Sequence, residues 1–197
     1  VLAAGVSAVM ALILGICGAT LGKKVDSAIS FAIDTVMGIP HILLLILISY
    51  AMGKGLKGVI AGVALTHWTS LARLIRGEVM QLRESEYIQI AGKLGLGKWE
   101  IAKKHIVPHV LPQFIVGLVL LFPHAILHES SITFLGFGLS TEQPAIGVIL
   151  SESMRYLIMG KWWLAVFPGM MLVLTVVLFE KGGTALRQLL DPGSVHK

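Results

Sequence analysis

Three polar side chains stand close together within a long apolar stretch, and they are the first candidates for chemistry. His124 and His128 are four residues apart, and Glu129 follows directly. On a helix, residues i and i+4 lie one above the other on the same face. Two imidazoles at this spacing could serve as a transient pair of metal ligands. The alternative is that His128 and Glu129 bridge helices through hydrogen bonds, a common use of polar groups inside membranes.

Other candidates for chemistry are weaker. His67 is expected to pack or to hydrogen-bond at an interface, and His41, beside Pro40, is expected to be satisfied at a helix kink. The chain has no G-x-x-x-x-G-K-[S/T] phosphate loop, so ATP chemistry is not expected on it. The sequence therefore predicts no catalytic residue and no cofactor, and its only metal candidates are the weak pair His124 and His128.

The composition around these residues is that of an integral membrane protein. Hydrophobic residues make up 55% of the chain and charged residues 14%, and the mean hydropathy is +0.84. Soluble domains carry about 25% charged residues. Several windows hold about 20 mostly apolar residues, which is the length a transmembrane helix needs. The sequence therefore predicts an all-α fold, a polytopic bundle of transmembrane helices.

Five membrane spans are predicted from these windows. They cover residues 1–21, 31–52, 58–74, 114–139 and 162–179. The second window contains Gly38-Ile39-Pro40, which predicts a kink. The first window begins the chain with Val1 and no basic residues ahead of it, so the natural N-terminus is expected to be missing.

Lysine and arginine are distributed unevenly between alternate loops, and an excess marks the cytoplasmic side. If the loop after the first span is cytoplasmic, the opposite side keeps, of the 16 basic residues, only Lys54, Lys57, Arg155 and Lys161. This predicts that residues 84–112 and the C-terminal tail are cytoplasmic and that residues 139–161 form an external loop. The net charge of +5 then reflects topology and anionic lipid head groups, and no nucleic-acid partner is expected.

Residues 84–112, called here the basic segment, are a polar island between two apolar spans. Apolar side chains at helical spacing predict a short helix that ends at Gly95-Leu96-Gly97 and a second helix from Trp99 to Ile106. Pro108 and Pro112 then lead into the next span. Such a helix-turn-helix could push on the ends of the spans. The alternative is an ordinary amphipathic linker at the membrane interface.

The basic segment resembles the EAA loop found in permeases of importer-type ABC transporters. That loop has a Glu-Ala-Ala start, a Gly four residues after the final Ala and an Ile-x-Pro end. The matching residues here are Gln89-Ile90-Ala91, Gly95 and Ile106-Val107-Pro108. Gln89 and Ile90 differ from the Glu-Ala pattern, whereas the small residue, the turn glycine and the terminal proline are kept.

Four further segments are similar, in the same order, to parts of the C-type permease subunits of dipeptide, oligopeptide and nickel importers. They are residues 34–40, 72–76, 128–138 and 190–192. Relative to that family, the chain lacks the first span and the external segment after it. The resemblance therefore implies a single permease domain of the type I importer kind, with five spans of a six-span subunit.

The resemblance also implies partners and a location. A permease of this family sits in the inner membrane, pairs with a homologous second permease and works with two cytoplasmic ATPases and an extracytoplasmic substrate-binding protein. ATP hydrolysis then lies on the partners. Coupling to the ATPases is expected at Glu86, Gln89, Ala91, Gly95, Ile106 and Pro108.

Polar groups within the spans are the candidates for positions on the pathway or at a subunit interface. They are His67, His124, His128 and Glu129. The expected cargo is di- or oligopeptides, and nickel or a metal chelate is the alternative. A channel that is not driven by ATP, or a membrane enzyme, is a more distant alternative.

Overall fold

The structure, a computed structural model, describes residues 2–190 except for the side chain of Lys98. Asp191 and Pro192 of the motif noted above, and the C-terminal tail after them, lie outside the described residues. Every described element is a helix. The helices are α1 (Leu2–Thr20), α2 (Lys23–Gly38), α3 (His41–Ala51), α4 (Gly55–Thr66), α5 (Trp68–Glu84), α6 (Glu86–Lys93), α7 (Lys98–Ile101), a π-helical turn (Ala102–Ile106), α8 (Val107–Phe134), α9 (Ile146–Leu157) and α10 (Trp163–Leu190).

Four helical stretches are long and apolar enough to cross a membrane. They are Leu2–Thr20, Gly55–Glu84, Trp99–Phe134 and Trp163–Leu190. A fifth span is present if α2 and α3 together count as one, and these two helices are bent by 94°. Proline has no N–H to donate and disfavours helical backbone in the residue before it, so the helix breaks at Ile39-Pro40. The predicted all-α membrane bundle is confirmed, and the predicted kink is a full break.

The helix ends differ from the predicted span ends in several places. The stretch from Gly55 continues to Glu84, about three turns beyond the predicted end at residue 74. The stretch that ends at Phe134 stops five residues before the predicted end at residue 139, because the chain turns at Gly136, whose φ is 83°. The segment predicted as an external loop, residues 139–161, contains the three-turn helix α9.

The most extensive helix packing lies between α1 and α5. One face of α1 carries small residues, namely Ala4, Ser7, Ala8, Ala11, Gly15, Gly18 and Ala19, all of them buried. A Cβ atom added at Gly15 would lie 2.9 Å from the carbonyl oxygen of Ala72 on α5. Small side chains allow helix backbones to approach this closely, and dispersion contacts then hold them together inside a bilayer.

Two ion pairs fix α2 against α5. Asp26 accepts two hydrogen bonds from Arg76, from Nε at 2.5 Å and from Nη2 at 2.8 Å. Asp34 accepts one from Arg73 at 2.5 Å. Bidentate guanidinium–carboxylate pairs combine charge with a fixed geometry. These pairs explain how two arginines are accommodated in the long α4–α5 stretch.

The last helix, α10, lies at the periphery. It packs against α8 and α9, and Gly183 is its one buried residue among those described. Its other side presents large apolar side chains such as Phe167, Met170 and Leu174, which are more than half exposed. In water such a face would be unfavourable, but in a bilayer it suits lipid tails.

Histidine cavity and basic segment as candidate functional sites

Three histidines from different parts of the chain meet inside the bundle. His41 is the first residue of α3, directly after the break at Pro40. His67 lies between α4 and α5, and His128 lies on α8. The ring centroids are 4.7 Å apart for His41 and His67, 4.5 Å for His41 and His128, and 5.0 Å for His67 and His128. One ring nitrogen from each residue lies within 4.8 Å of the other two.

The hydrogen bonds assign the protons of two of these rings. Nδ1 of His128 lies 2.8 Å from the carbonyl oxygen of His124 and must donate to it, since a carbonyl only accepts. Nε2 of His67, 3.1 Å from the same Nδ1, then has to accept. The proton of His67 therefore sits on its Nδ1, which donates to Oγ1 of Thr66 at 3.0 Å. Thr66 in turn donates to the carbonyl of Gly62 at 2.8 Å.

This arrangement leaves one unprotonated ring nitrogen on each of these two histidines. Nε2 of His67 is unprotonated, and so is Nε2 of His128, because a neutral imidazole carries only one N–H. Oγ1 of Thr66 lies 3.5 Å from Nε2 of His41, which is long for a hydrogen bond. Thr66 itself is 1% exposed, so its hydroxyl is a fixed partner for His67 and not one that water replaces.

The three rings line a cavity of about 530 Å³. Its walls come from the end of α2 (residues 36–38), from Pro40, from Ser70 and from Leu121 on α8. His67 is about twelve residues, or about 18 Å of helix, from the start of α4 at Gly55. The hydrocarbon core of a bilayer is about 30 Å thick, so a span that enters it at Gly55 carries the cavity near its middle.

The four polar residues that the sequence placed on the pathway or at an interface differ in their contacts. His67 and His128 are in contact. His124 lines the same cavity, but it reaches His128 only through its backbone carbonyl. Glu129 accepts hydrogen bonds from Thr133 at 2.8 Å and Ser130 at 3.3 Å, both on its own helix.

Sequence reasoning missed the third member of the cluster, His41. The pair His124 and His128 was singled out because both lie on one helix, and spacing along a helix reveals only neighbours on that helix. A signal was nevertheless present. His41 is an ionisable residue in an apolar window, directly after a helix-breaking proline, and an intramembrane ionisable residue is a functional candidate by default.

The basic segment begins with a tight corner between α5 and α6. Gln89 stabilises it twice, since its backbone N–H donates to the carbonyl of Ser85 at 3.2 Å and its Nε2 donates to the carbonyl of Glu84 at 3.1 Å. Glu86 is in the first turn of α6, where a carboxylate interacts favourably with the helix dipole. Gln89 and Glu86 thus both support this corner.

Helix α6 ends in a Schellman motif at Gly95. The N–H of Leu96 donates to the carbonyl of Ala91 at 3.2 Å, and the N–H of Gly95 donates to the carbonyl of Gly92 at 3.1 Å. Gly95 has a φ of 93°, which favours glycine strongly. No atom lies within 4 Å of a Cβ built there, so the constraint is purely conformational. The tight turn predicted at this glycine is therefore present.

The segment has an inner and an outer apolar face. Ile88, Ala91 and Ile106 are buried, and Ile106 is only 1% exposed. Leu94 and Trp99, in contrast, are 76% and 82% exposed. Ala91 and Ile106, both expected to couple to a partner, are buried against their own chain. The surface available to a partner is the outer face, formed by Tyr87, Ile90, Leu94 and Trp99.

The second helix of the segment runs without interruption into the next span. Helix α7, the π-helical turn and α8 follow one another directly from Lys98 to Phe134. The N–H of Val107 donates to the carbonyl of Ala102, five residues earlier. Pro108 follows and offers no N–H to the carbonyl four residues before it, so the helix changes its hydrogen-bonding pattern just ahead of the proline. Pro108 therefore loosens the helix locally without ending it.

Comparisons with known proteins agree with this architecture. The dipeptide transport system permease protein DppC of Bacillus subtilis is 31% identical over 192 residues, which are 98% of this chain and 60% of that protein. The oligopeptide transport system permease protein OppC of Escherichia coli is 32% identical over 171 residues, 87% of this chain and 56% of that protein. The chain thus spans about three fifths of the length of these curated relatives.

A solved structure shows the same fold. An inward-facing conformation of the MetNI methionine ABC transporter matches with a TM-score of 0.77 and 17% identity, covering 96% of this chain and 89% of that chain. Residues 8–194 match the family described as "Binding-protein-dependent transport system inner membrane component". The chain therefore belongs to this family, the inner-membrane permeases of binding-protein-dependent ABC importers.

Proposed function

We propose that this chain is a pathway-forming permease subunit of an ATP-driven importer of di- and oligopeptides. It pairs with a homologous second permease, two cytoplasmic ATPases and an extracytoplasmic substrate-binding protein, and it is surrounded by membrane lipid. The observation that carries this proposal is the basic segment, whose exposed apolar face is joined by a continuous helix to a span that lines a central cavity.

The proposal places the basic segment in the cytoplasm. Lys93, Lys103 and Lys104 lie in it, and an excess of basic residues favours that side. The helices then alternate so that α9 and the turn after α8 are external, where a binding protein would dock. The C-terminal tail is cytoplasmic in the same arrangement.

Coupling follows from the connection between the segment and α8. ATP-driven closure of the two ATPases moves the outer face of α6, and the second helix of the segment transmits this movement to α8. Because α8 carries Leu121, His124 and His128, its displacement changes the wall of the cavity. Rigid movement of helices around a fixed site is a common way to alternate access. ATP hydrolysis itself is assigned to the partners.

Peptides are the cargo that the relatives favour. The curated relatives quoted above are named as dipeptide and oligopeptide permeases. The alternative left open by the sequence, nickel or a metal chelate as cargo, has no such support among them. Family membership likewise disfavours a passive channel or a membrane enzyme.

Uptake by vesicles that carry the complete complex tests the proposal. Labelled dipeptide and labelled nickel would be supplied separately, each with the binding protein, with and without ATP inside the vesicles. We expect dipeptide uptake that depends on ATP. Uptake that proceeds equally without ATP would overturn the importer proposal, and uptake of nickel alone would overturn the assignment of cargo.

Crosslinking to the ATPase tests the docking surface. Leu94→Cys should form a crosslink to an ATPase cysteine, because this position is 76% exposed. Ala91→Cys is a matched control on the buried face of the same helix and should react much more slowly. If a membrane-impermeant thiol reagent labels Leu94→Cys only from outside intact cells, the orientation is inverted.

A further inference from the structure

We propose that His41, His67 and His128 form a binding site for one divalent late transition-metal ion, such as Zn²⁺ or Co²⁺. The site lies within the cavity near the middle of the bilayer. It does not depend on which cargo the transporter carries, since the ligands and their geometry are properties of this chain alone.

The geometry is close to that of a three-histidine metal site. One nitrogen from each ring lies within 4.8 Å of the other two. Zinc binds imidazole nitrogen at about 2.0–2.1 Å, so nitrogens around a tetrahedral ion are about 3.3 Å apart. Closing the cluster onto an ion therefore requires ring movements on the order of 1 Å. The cavity beside the rings gives them room for this movement.

The donor set selects the class of metal. All three candidate ligands are imidazoles, and none of the carboxylates in the described part of the chain belongs to the cluster. Imidazole suits zinc, copper, nickel and cobalt, whereas magnesium and calcium require oxygen ligands. Three protein ligands leave one tetrahedral position free. That position faces the cavity, where water or a donor atom of a solute can complete the coordination.

A second layer of contacts already orients one of the ligands. Nδ1–H of His67 donates to Thr66, and Thr66 donates to the backbone carbonyl of Gly62. This chain places the lone pair of Nε2 of His67 toward the other two rings. Metal-binding histidines characteristically donate their second nitrogen to a fixed acceptor in this way, which sets the tautomer and the ring orientation.

Hydrogen bonding alone accounts for the cluster of three histidines less well than a bound metal ion does. It explains the contact between His67 and His128, at 3.1 Å. The hydrogen-bonding contact of His41 is the one between its Nε2 and Oγ1 of Thr66, at 3.5 Å. Its ring centroid nevertheless lies within 4.7 Å of the centroids of both other rings. A metal ion would satisfy all three nitrogens at once.

Cobalt binding by the intact complex in lipid nanodiscs tests the proposal. Co²⁺ is the probe because its visible ligand-field spectrum reports coordination, and Zn²⁺ is the competitor. We expect one Co²⁺ per copy of this chain, displaced by Zn²⁺. His128→Ala should weaken binding by at least about 100-fold, since even loss of an outer contact to a metal ligand costs about 10- to 100-fold.

Two further variants separate loss of a ligand from loss of the fold. His128→Cys replaces one metal ligand by another, so it should retain Co²⁺ and add a sulfur-to-cobalt charge-transfer band. His124→Ala is the matched control on the same helix and cavity wall, and it should leave the affinity within about twofold, since its carbonyl is unchanged. The proposal is overturned if no Co²⁺ binds, if His128→Ala binds like the unmodified chain, or if His128→Cys binds without the new band. These outcomes are independent of peptide uptake.

Discussion

The basic segment and the histidine cavity present their side chains in opposite ways. The basic segment draws its outer face from a short stretch of chain, and Leu94 and Trp99 on it are more than three quarters exposed. The cavity draws His67 and His128 from positions 61 residues apart, and His67 is 6% exposed. The segment is an exposed surface whose inner face packs on its own chain. The cavity is an interior site where α3, α8 and the junction of α4 and α5 meet. We therefore expect some substitutions in the segment to lower stability and others to affect coupling alone. Substitutions in the cavity should alter the geometry of the histidine ligands.

The largest effect is expected where the segment is anchored. Ile106→Ala removes a side chain that is 1% exposed and packs in the main apolar cluster. Such truncations cost about 2–5 kcal/mol. Hydrogen–deuterium exchange of the segment should rise, and the complex should unfold at lower temperature. Leu94→Ala, on the outer face, is the control, and its unfolding temperature measured without the ATPases should stay unchanged. Equal destabilisation by both variants would contradict the division into two faces.

The turn at Gly95 should affect coupling more than folding. Gly95→Val forces a β-branched residue to a φ of 93°, at a cost of about 1–2 kcal/mol. The end of α6 should shift, and transport per ATP hydrolysed should fall about tenfold or more. Gly95→Asn is the matched variant, because asparagine tolerates this conformation better, and it should retain most transport. Normal coupled uptake by the valine variant would refute a role for this turn in coupling.

Metal binding in the cavity should change when a cavity residue is substituted and the basic segment is left unaltered. Thr66→Val removes the hydroxyl that orients His67 while keeping nearly the same shape. If the three histidines bind a metal, Co²⁺ affinity should fall about tenfold, as for other outer contacts of metal ligands. The helical content measured by circular dichroism should not change. Unaltered affinity would show that Thr66 does not orient the ligand.

The smallest effect is expected at an exposed ion pair of the segment. Glu100 accepts a hydrogen bond from Lys104 at 2.6 Å, with both side chains about half exposed or more. Pairs of this kind contribute about 0.3–0.5 kcal/mol. Glu100→Gln should therefore leave the unfolding temperature nearly unchanged, in contrast to Ile106→Ala. A large destabilisation would indicate that this charge has a further partner in the assembled complex.

Local features were predictable from the sequence wherever one residue determines the backbone. The break at Pro40 and the turn at Gly95 both follow from the chemistry of a single residue, acting over a few neighbours. Apolar windows likewise indicated the spans, although one of them was predicted to end at residue 74, beside Arg73 and Arg76. The helix continues past both, because Asp34 and Asp26 on another helix pair with them.

The sequence by itself determined that this chain is an α-helical membrane protein with a basic segment between two spans, because hydropathy and turn chemistry act locally and survive any change in helix packing. The tertiary structure decided which faces are hidden and which distant residues meet. It turned Ala91 inward and left Leu94 outside. It also brought His41 to His67 and His128. The physical reason is that such contacts depend on the crossing angles and relative heights of separate helices, which no spacing along one helix encodes.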